Sequence, residues 1–166
     1  MAPFKYLHIV RHGKASWDYE NIADIDRPLK ERGIKDSYLM AEKMRAKNQI
    51  PDYFISSPAV RALHTATIFA RVFGLEGSKL EIRNDLYMTG KKNILDIIKQ
   101  TNNTIDSLMI FGHNPAFTDI ANDFLINKID NLPTTGIVTL KFELNSWKEV
   151  HAQNCIESVF DYPKNN

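Results

Sequence analysis

Two periods of apolar spacing alternate along the chain. Tyr6 to Val10 is a short apolar run without Gly or Pro that stops at Arg11-His12-Gly13, the pattern of a buried strand. Runs over Asp52–Ser57 and Ser107–Phe111 predict two more buried strands. Gly136–Leu144 predicts a long strand, Ser158–Tyr162 a last one, and Leu80–Tyr87 a weaker extended stretch. Between these runs the spacing turns helical. Ile34, Tyr38, Ala41 and Met44 fall on one face of a helix that begins after Pro28 and stops before Pro51. Asp26 is placed to cap it, and Gly33 to interrupt or restart it. Ala62, Thr65, Ala66, Phe69 and Val72 share a face of a helix that opens after Pro58 and closes at Gly74. Asn93–Gln100 and the segment after Pro115 predict two further helices.

Strands alternating with helices predict an α/β fold, a three-layer α/β/α sandwich around a mostly parallel sheet, with an antiparallel pair among the closely spaced last strands. At 166 residues the chain fits one domain over 1–166. A net charge of +1 argues against bulk attraction to nucleic acid or membrane and leaves room for a local basic pocket. The single Cys155 excludes an internal disulfide framework and a multi-cysteine zinc site, and it fits a reducing compartment. The first residues lack a signal-peptide pattern, and no run approaches the roughly 20 apolar residues of a bilayer span. The expectation is a cytoplasmic monomer.

In α/β proteins ligands bind at the carboxyl ends of parallel strands, and three predicted strand ends carry chemistry here. The first offers Arg11 and His12. The second leads through Ser56, Ser57 and Pro58 into a helix whose first turn holds Arg61. A later one offers His113 just before a helix. Two arginines, two histidines and a helix start make a cage for a dianionic tetrahedral group, which describes a phosphate site.

With these residues placed, the chain resembles the histidine phosphatase (phosphoglycerate mutase-like) superfamily. The matching elements are Arg11-His12-Gly13, Ser57-Pro58 with Arg61 and Thr65-Ala66, and Gly112-His113. RHGKASWD, DIDRPLKERG, GHNPAFTDIAN and LPTTGIVTLKF narrow the resemblance to small bacterial phosphohistidine phosphatases of the SixA type. It implies a phosphoglycerate mutase-like fold and covalent catalysis, in which His12 attacks phosphorus and water later hydrolyses the phosphohistidine. Arg11, Arg61 and a protonated His113 would stabilise the transition state. The Gly13 carbonyl is a candidate to fix the His12 tautomer. Arg11, Gly13, Asp18, Arg61, His113 and Asn114 are expected to touch substrate, with no metal and no cofactor.

The pattern departs from the superfamily at the general acid. Sugar-phosphate members carry a Glu after the third strand, where this chain reads Arg83-Asn84-Asp85-Leu86-Tyr87. Acid phosphatases and phytases place an Asp after the second His, where Asn114 stands here. Asp85 and Asp18 are the remaining candidates. A missing strong acid suits phosphohistidine, whose leaving imidazole has a conjugate acid of pKa near 6.5. The expected substrate is therefore phosphohistidine on a protein. A small phosphate ester, or a non-catalytic phosphoprotein-binding module, is the alternative. His8 reads as a core or strand histidine, His64 and His151 as surface residues. Lys14, Trp17 and Tyr87 read as pocket-lining, packing or solvated. Asp26-Arg27 reads as ordering the first helix. Short connections between motifs predict an open site without a long cap.

Overall fold

Alternate residues of the strands turn to opposite sides of one sheet, and each side builds its own core. The structure, a computed structural model, describes residues 3–164. Its strands are β1 (Phe4–Arg11), β2 (Tyr53–Ser56), β3 (Leu80–Ile82), β4 (Ser107–Gly112), β5 (Ile137–Glu143) and β6 (Cys155–Asp161), and its α-helices are α1 (Glu31–Ala46), α2 (Val60–Phe73), α3 (Lys91–Lys99) and α4 (Ala116–Phe124). Leu7, Ile9, Ile55, Leu108 and Ile110 face one side with Ile94, Ile97, Phe117 and Ile120 of α3 and α4. Val10, Phe54, Met109 and Phe111 face the other with Met40, Met44, Ala66 and Phe69 of α1 and α2. Helices thus cover both faces, giving the three layers expected.

The strand order is β3-β2-β4-β1-β5-β6. The β2–β3, β2–β4 and β1–β4 pairs are parallel, and β5 runs antiparallel to both β1 and β6. The register fixes which side chains can gather at the sheet edge. Arg11 pairs with Gly112 across β1–β4, and Ser56 with Phe111 across β2–β4. His12, Ser57 and His113 therefore leave the sheet side by side. The main chain continues the ladder one step past the strands, with His12 N–H donating to Gly112 O at 3.1 Å and Ser57 N–H to Phe111 O at 3.0 Å.

Several expectations shift in detail. The first helix starts at Glu31, and Asp26 ends a separate 3-10 turn, Asp24–Asp26, instead of capping it. Its buried face is Gly33, Ser37, Met40, Ala41 and Met44; Tyr38 lies at the edge, where its hydroxyl accepts from Arg71. Gly33 does not interrupt the helix. It brings the helix against the loop after β1, and a Cβ there would stand 2.3 Å from Lys14 O. The Leu80–Tyr87 stretch splits into the short β3 and a 3-10 turn, Asn84–Leu86. The last strand starts at Cys155, three residues earlier than its apolar pattern suggests, because its pairing partner on β5 is long. Among the described residues no helix is long and apolar enough to cross a membrane.

Candidate active site

His12 sits at the end of β1, only 8% exposed. Its Nδ1 lies 2.8 Å from Gly13 O. A carbonyl only accepts, so Nδ1 carries the proton and Nε2 keeps its lone pair. The pKa of His12 is pushed down to about 3, first by burial and then by the neighbouring His113, Arg61 and Arg11; the Gly13 bond works the other way. The ring is a neutral imidazole at neutral pH.

His113 follows β4, its ring centroid 5.1 Å from that of His12. A 2.7 Å hydrogen bond joins its Nε2 to Ser57 Oγ, which also accepts from Ala59 N–H. Burial, then the charge of Arg61, pushes its pKa down to about 4. In the free protein this favours the neutral imidazole, whereas the expected protonated His113 belongs to the transition state. A bound dianion favours its charged form and raises that value.

Arg11 and Arg61 bring the positive charge. Arg11 Nη1 donates to Leu132 O at 3.0 Å. Arg61 is buried on the first turn of α2, and Asp24 holds it: Nη1 donates to Asp24 O at 2.6 Å and Nη2 to Asp24 Oδ2 at 2.9 Å. Asp24 also accepts from Tyr87 Oη at 2.6 Å and from Arg27 Nη1 at 3.2 Å. These bonds, led by that from Tyr87, hold its carboxyl well below the usual carboxylate range. The Arg27 guanidinium in turn lies 3.2 Å above the exposed ring of Trp17.

These groups enclose a cavity of about 180 Å³ walled by Arg11, His12, Lys14, Arg27, Arg61 and His113, with Trp17, Asn114 and Thr134 also on its surface. Among the described residues no carboxylate lines it. Larger depressions lie beside β3 and beside Asp18, at about 480 and 510 Å³, but neither contains a histidine. Among the described residues, the buried side-chain nitrogens and oxygens without a partner are Arg11 Nε, His113 Nδ1 and Thr135 Oγ1. The first two belong to cavity-lining residues, and Thr135 is bonded to the main chain at Arg11 and His12. Buried polar groups are normally satisfied, so this corner is prepared for a ligand rich in acceptors. No group of three or more His, Cys, Asp or Glu placed to hold a metal ion occurs among the described residues.

Not every expected residue converges. Gly13 has both backbone groups occupied, its N–H donating to Thr65 Oγ1 at 2.9 Å and its carbonyl held by His12. Its place is structural: a Cβ would stand 2.8 Å from Gly33 O. Asn114 lines the cavity, but its amide donates to Asn131 Oδ1 and Leu132 O and accepts from Thr118. Asp18 is exposed and faces the separate depression with Ser16, Tyr19 and Lys30. Asp85 is held by a two-pronged bond from Arg83, away from the cavity. His8 is buried and bonded to Thr139 and Ser107, and burial pushes its pKa down to about 4. His151 is exposed as expected, whereas His64 is half-buried. Asp24 was not legible as a site residue. It opens the DIDRPLKERG stretch, but it stands 37 positions from Arg61 and nothing in that stretch marks it as the partner of Arg61.

A fold of this topology, with a neutral histidine facing two arginines and a second histidine at parallel strand ends, defines a class. The profile of the histidine phosphatase superfamily (branch 1) matches residues 7–87, just under half of the chain. An uncharacterised chloroplastic protein of Arabidopsis thaliana is 29% identical over 154 residues, covering 88% of this chain and 70% of that protein. The fold matches a protein from Nakamurella multipartitia assigned as a phosphohistidine phosphatase SixA, with a TM-score of 0.83, 18% identity and 98% of each chain covered. It also matches the protein histidine phosphatase SixA complexed with tungstate, with a TM-score of 0.76, 20% identity and coverage of 96% of this chain and 98% of that one.

Proposed function

We propose that the chain is a phosphatase that hydrolyses phosphohistidine on a protein through a covalent intermediate on His12. The observation that carries this is the free Nε2 of a neutral His12, fixed by the Gly13 carbonyl, facing a cavity with several cations and, among the described residues, no carboxylate on its walls. Nε2 attacks phosphorus, the new N–P bond forms, and the substrate P–N bond breaks as its imidazole leaves. Water then attacks phosphorus, the His12 N–P bond breaks, and inorganic phosphate and neutral His12 are released. Arg11 and Arg61 offset the charge on the equatorial oxygens, and His113 donates to the same group. A fold shared with a SixA structure that holds tungstate, a tetrahedral dianion, supports this placement.

The carboxylates support the substrate class. Asp18 and Asp85 face elsewhere, and Asp24 is held ionised by Arg61, Tyr87 and Arg27. No protonated carboxyl stands ready for an alkoxide leaving group. A leaving imidazole needs less help, since its conjugate acid has a pKa near 6.5.

The test is hydrolysis of a phosphohistidine-bearing protein beside a panel of phosphate monoesters, in EDTA, with His12→Ala as control. Turnover of the phosphoramidate that disappears in the variant is the expected result. Faster hydrolysis of the esters would transfer the assignment to a small-molecule phosphatase. Absence of any turnover would leave a phosphoprotein-binding module.

A further inference from the structure

The loop after β1 separates two depressions. One is the His12 cavity. The other, of about 280 Å³, lies between that loop, the start of α1 and the C-terminal segment, and Lys14 and Thr134 form walls of both. Its charged residues are Lys14, Arg32, Lys164 and a single carboxylate, Asp36. Asp36 is already engaged, 3.5 Å from Arg32 Nε. Lys14 has no ion-pair partner among the described residues and lines both spaces. Tyr162, Pro133 and Pro163 supply apolar surface. A positive depression that shares a wall with a phosphate cavity is suited to a second anion on the same molecule.

We propose that this depression is a substrate subsite for an acidic group, occupied by an Asp or Glu side chain near the phosphorylated residue of a protein while the phosphoryl group sits at His12. The inference rests on the phosphatase reading for the position of the phosphoryl group. It adds a specificity determinant, Lys14 with Arg32, that lies outside the Arg–His–Arg–His set. Exposed ion pairs contribute up to about 1 kcal/mol, so each contact is worth up to about fivefold in affinity.

The test is binding by calorimetry at low salt, with two pairs of non-hydrolysable phosphonates. The first pair is a peptide carrying a phosphonate analogue of the phosphorylated residue, with Glu or Gln beside it. The second is propylphosphonate and 2-carboxyethylphosphonate. Wild-type protein is expected to prefer the Glu peptide by about fivefold or more. Arg32→Ala should abolish most of that preference while binding propylphosphonate as wild type does. Lys14→Ala should weaken all ligands and also lose the preference. A preference seen only with the small pair would overturn the protein-side-chain assignment. No preference in either pair, or one that survives in both variants, would overturn the subsite. Turnover is measured separately on p-nitrophenyl phosphate and a phosphohistidine protein. Its absence would count against the phosphatase reading alone, because the binding comparison does not depend on it.

Discussion

Asp24 grips Arg61 with two different atoms, its main-chain oxygen taking Nη1 at 2.6 Å and its carboxylate taking Nη2 at 2.9 Å. The fork of Arg61 is thereby oriented before any ligand arrives, and such pre-orientation reduces the loss of freedom on binding. Tyr87 and Arg27 hold the same carboxylate, so one residue ties together three parts of the rim.

Removal of that carboxylate should cost activity more than stability, since Asp24 is half exposed. Asp24→Ala is expected to lower kcat/KM by on the order of tenfold to a hundredfold through a misplaced Arg61. Asp24→Asn should retain part of the activity, because its amide oxygen still accepts from Arg61. The depressed pKa has its own signature. Its contribution to stability is complete above the unfolded value near 3.9 and is lost as pH falls towards the lower folded value. Thermal melts below pH 4 should therefore fall less steeply for Asp24→Asn than for the wild type.

His12, His113 and His8 are all held neutral by burial, at about 3, 4 and 4. Each folded value lies below the unfolded 6.5, so stability is complete above pH 6.5 and declines as pH falls below it. The midpoint of thermal unfolding should drop between pH 7 and 5. His8→Asn lowers stability outright but should make that pH dependence shallower, because one buried imidazole no longer resists protonation. For catalysis the same shift puts the acid limb of kcat/KM, measured on any turned-over substrate, below pH 5 instead of near 6.5.

Gly33 and Gly13 press two backbones together. A methyl group on Gly33 would stand 2.3 Å from Lys14 O and 2.8 Å from Lys14 N, both main-chain atoms. Gly33→Ala is therefore expected to cost about 1–3 kcal/mol by forced displacement and to move the loop that carries His12. Denaturant melts and turnover measured together check this. A loss of activity larger than the fraction unfolded at assay temperature is the expected outcome.

The range of each interaction decides how much of the fold and site was legible in the chain. The three strand ends were readable because apolar runs stop abruptly at Arg11-His12, Ser57-Pro58 and Gly112-His113, and parallel strands place such ends on one edge. The Gly13 carbonyl as partner of His12 was readable because it is a neighbour in sequence. Asp24, by contrast, reaches the site only through the path of residues 12–30, which carry no strong periodicity. The charge state of His113 also depends on tertiary burial that residue type does not reveal. The carboxylates offered by motif, Asp18 and Asp85, carry no local sign of which way they face. The place of Asn114 after His113 suggests a substrate contact, but an amide next to a helix start is equally fit to cap it, and here it accepts from Thr118.

Thr65 shows how the core face of α2 is joined to the chemistry. Its hydroxyl donates to Arg61 O at 2.7 Å and accepts from Gly13 N–H at 2.9 Å. One fully buried side chain thus links the helix that carries Arg61 to the loop that carries His12. Val has nearly the same shape but lacks the hydroxyl, so Thr65→Val leaves a buried Gly13 N–H without a partner, a cost of about 1–3 kcal/mol. Thr65→Ser keeps both bonds and loses only a methyl group. If the hydroxyl matters as a bridge, Ser should hold its activity close to wild type while Val loses both stability and turnover. If the methyl group mattered more, the order would reverse, with Val as stable as wild type and Ser weakened by the small void.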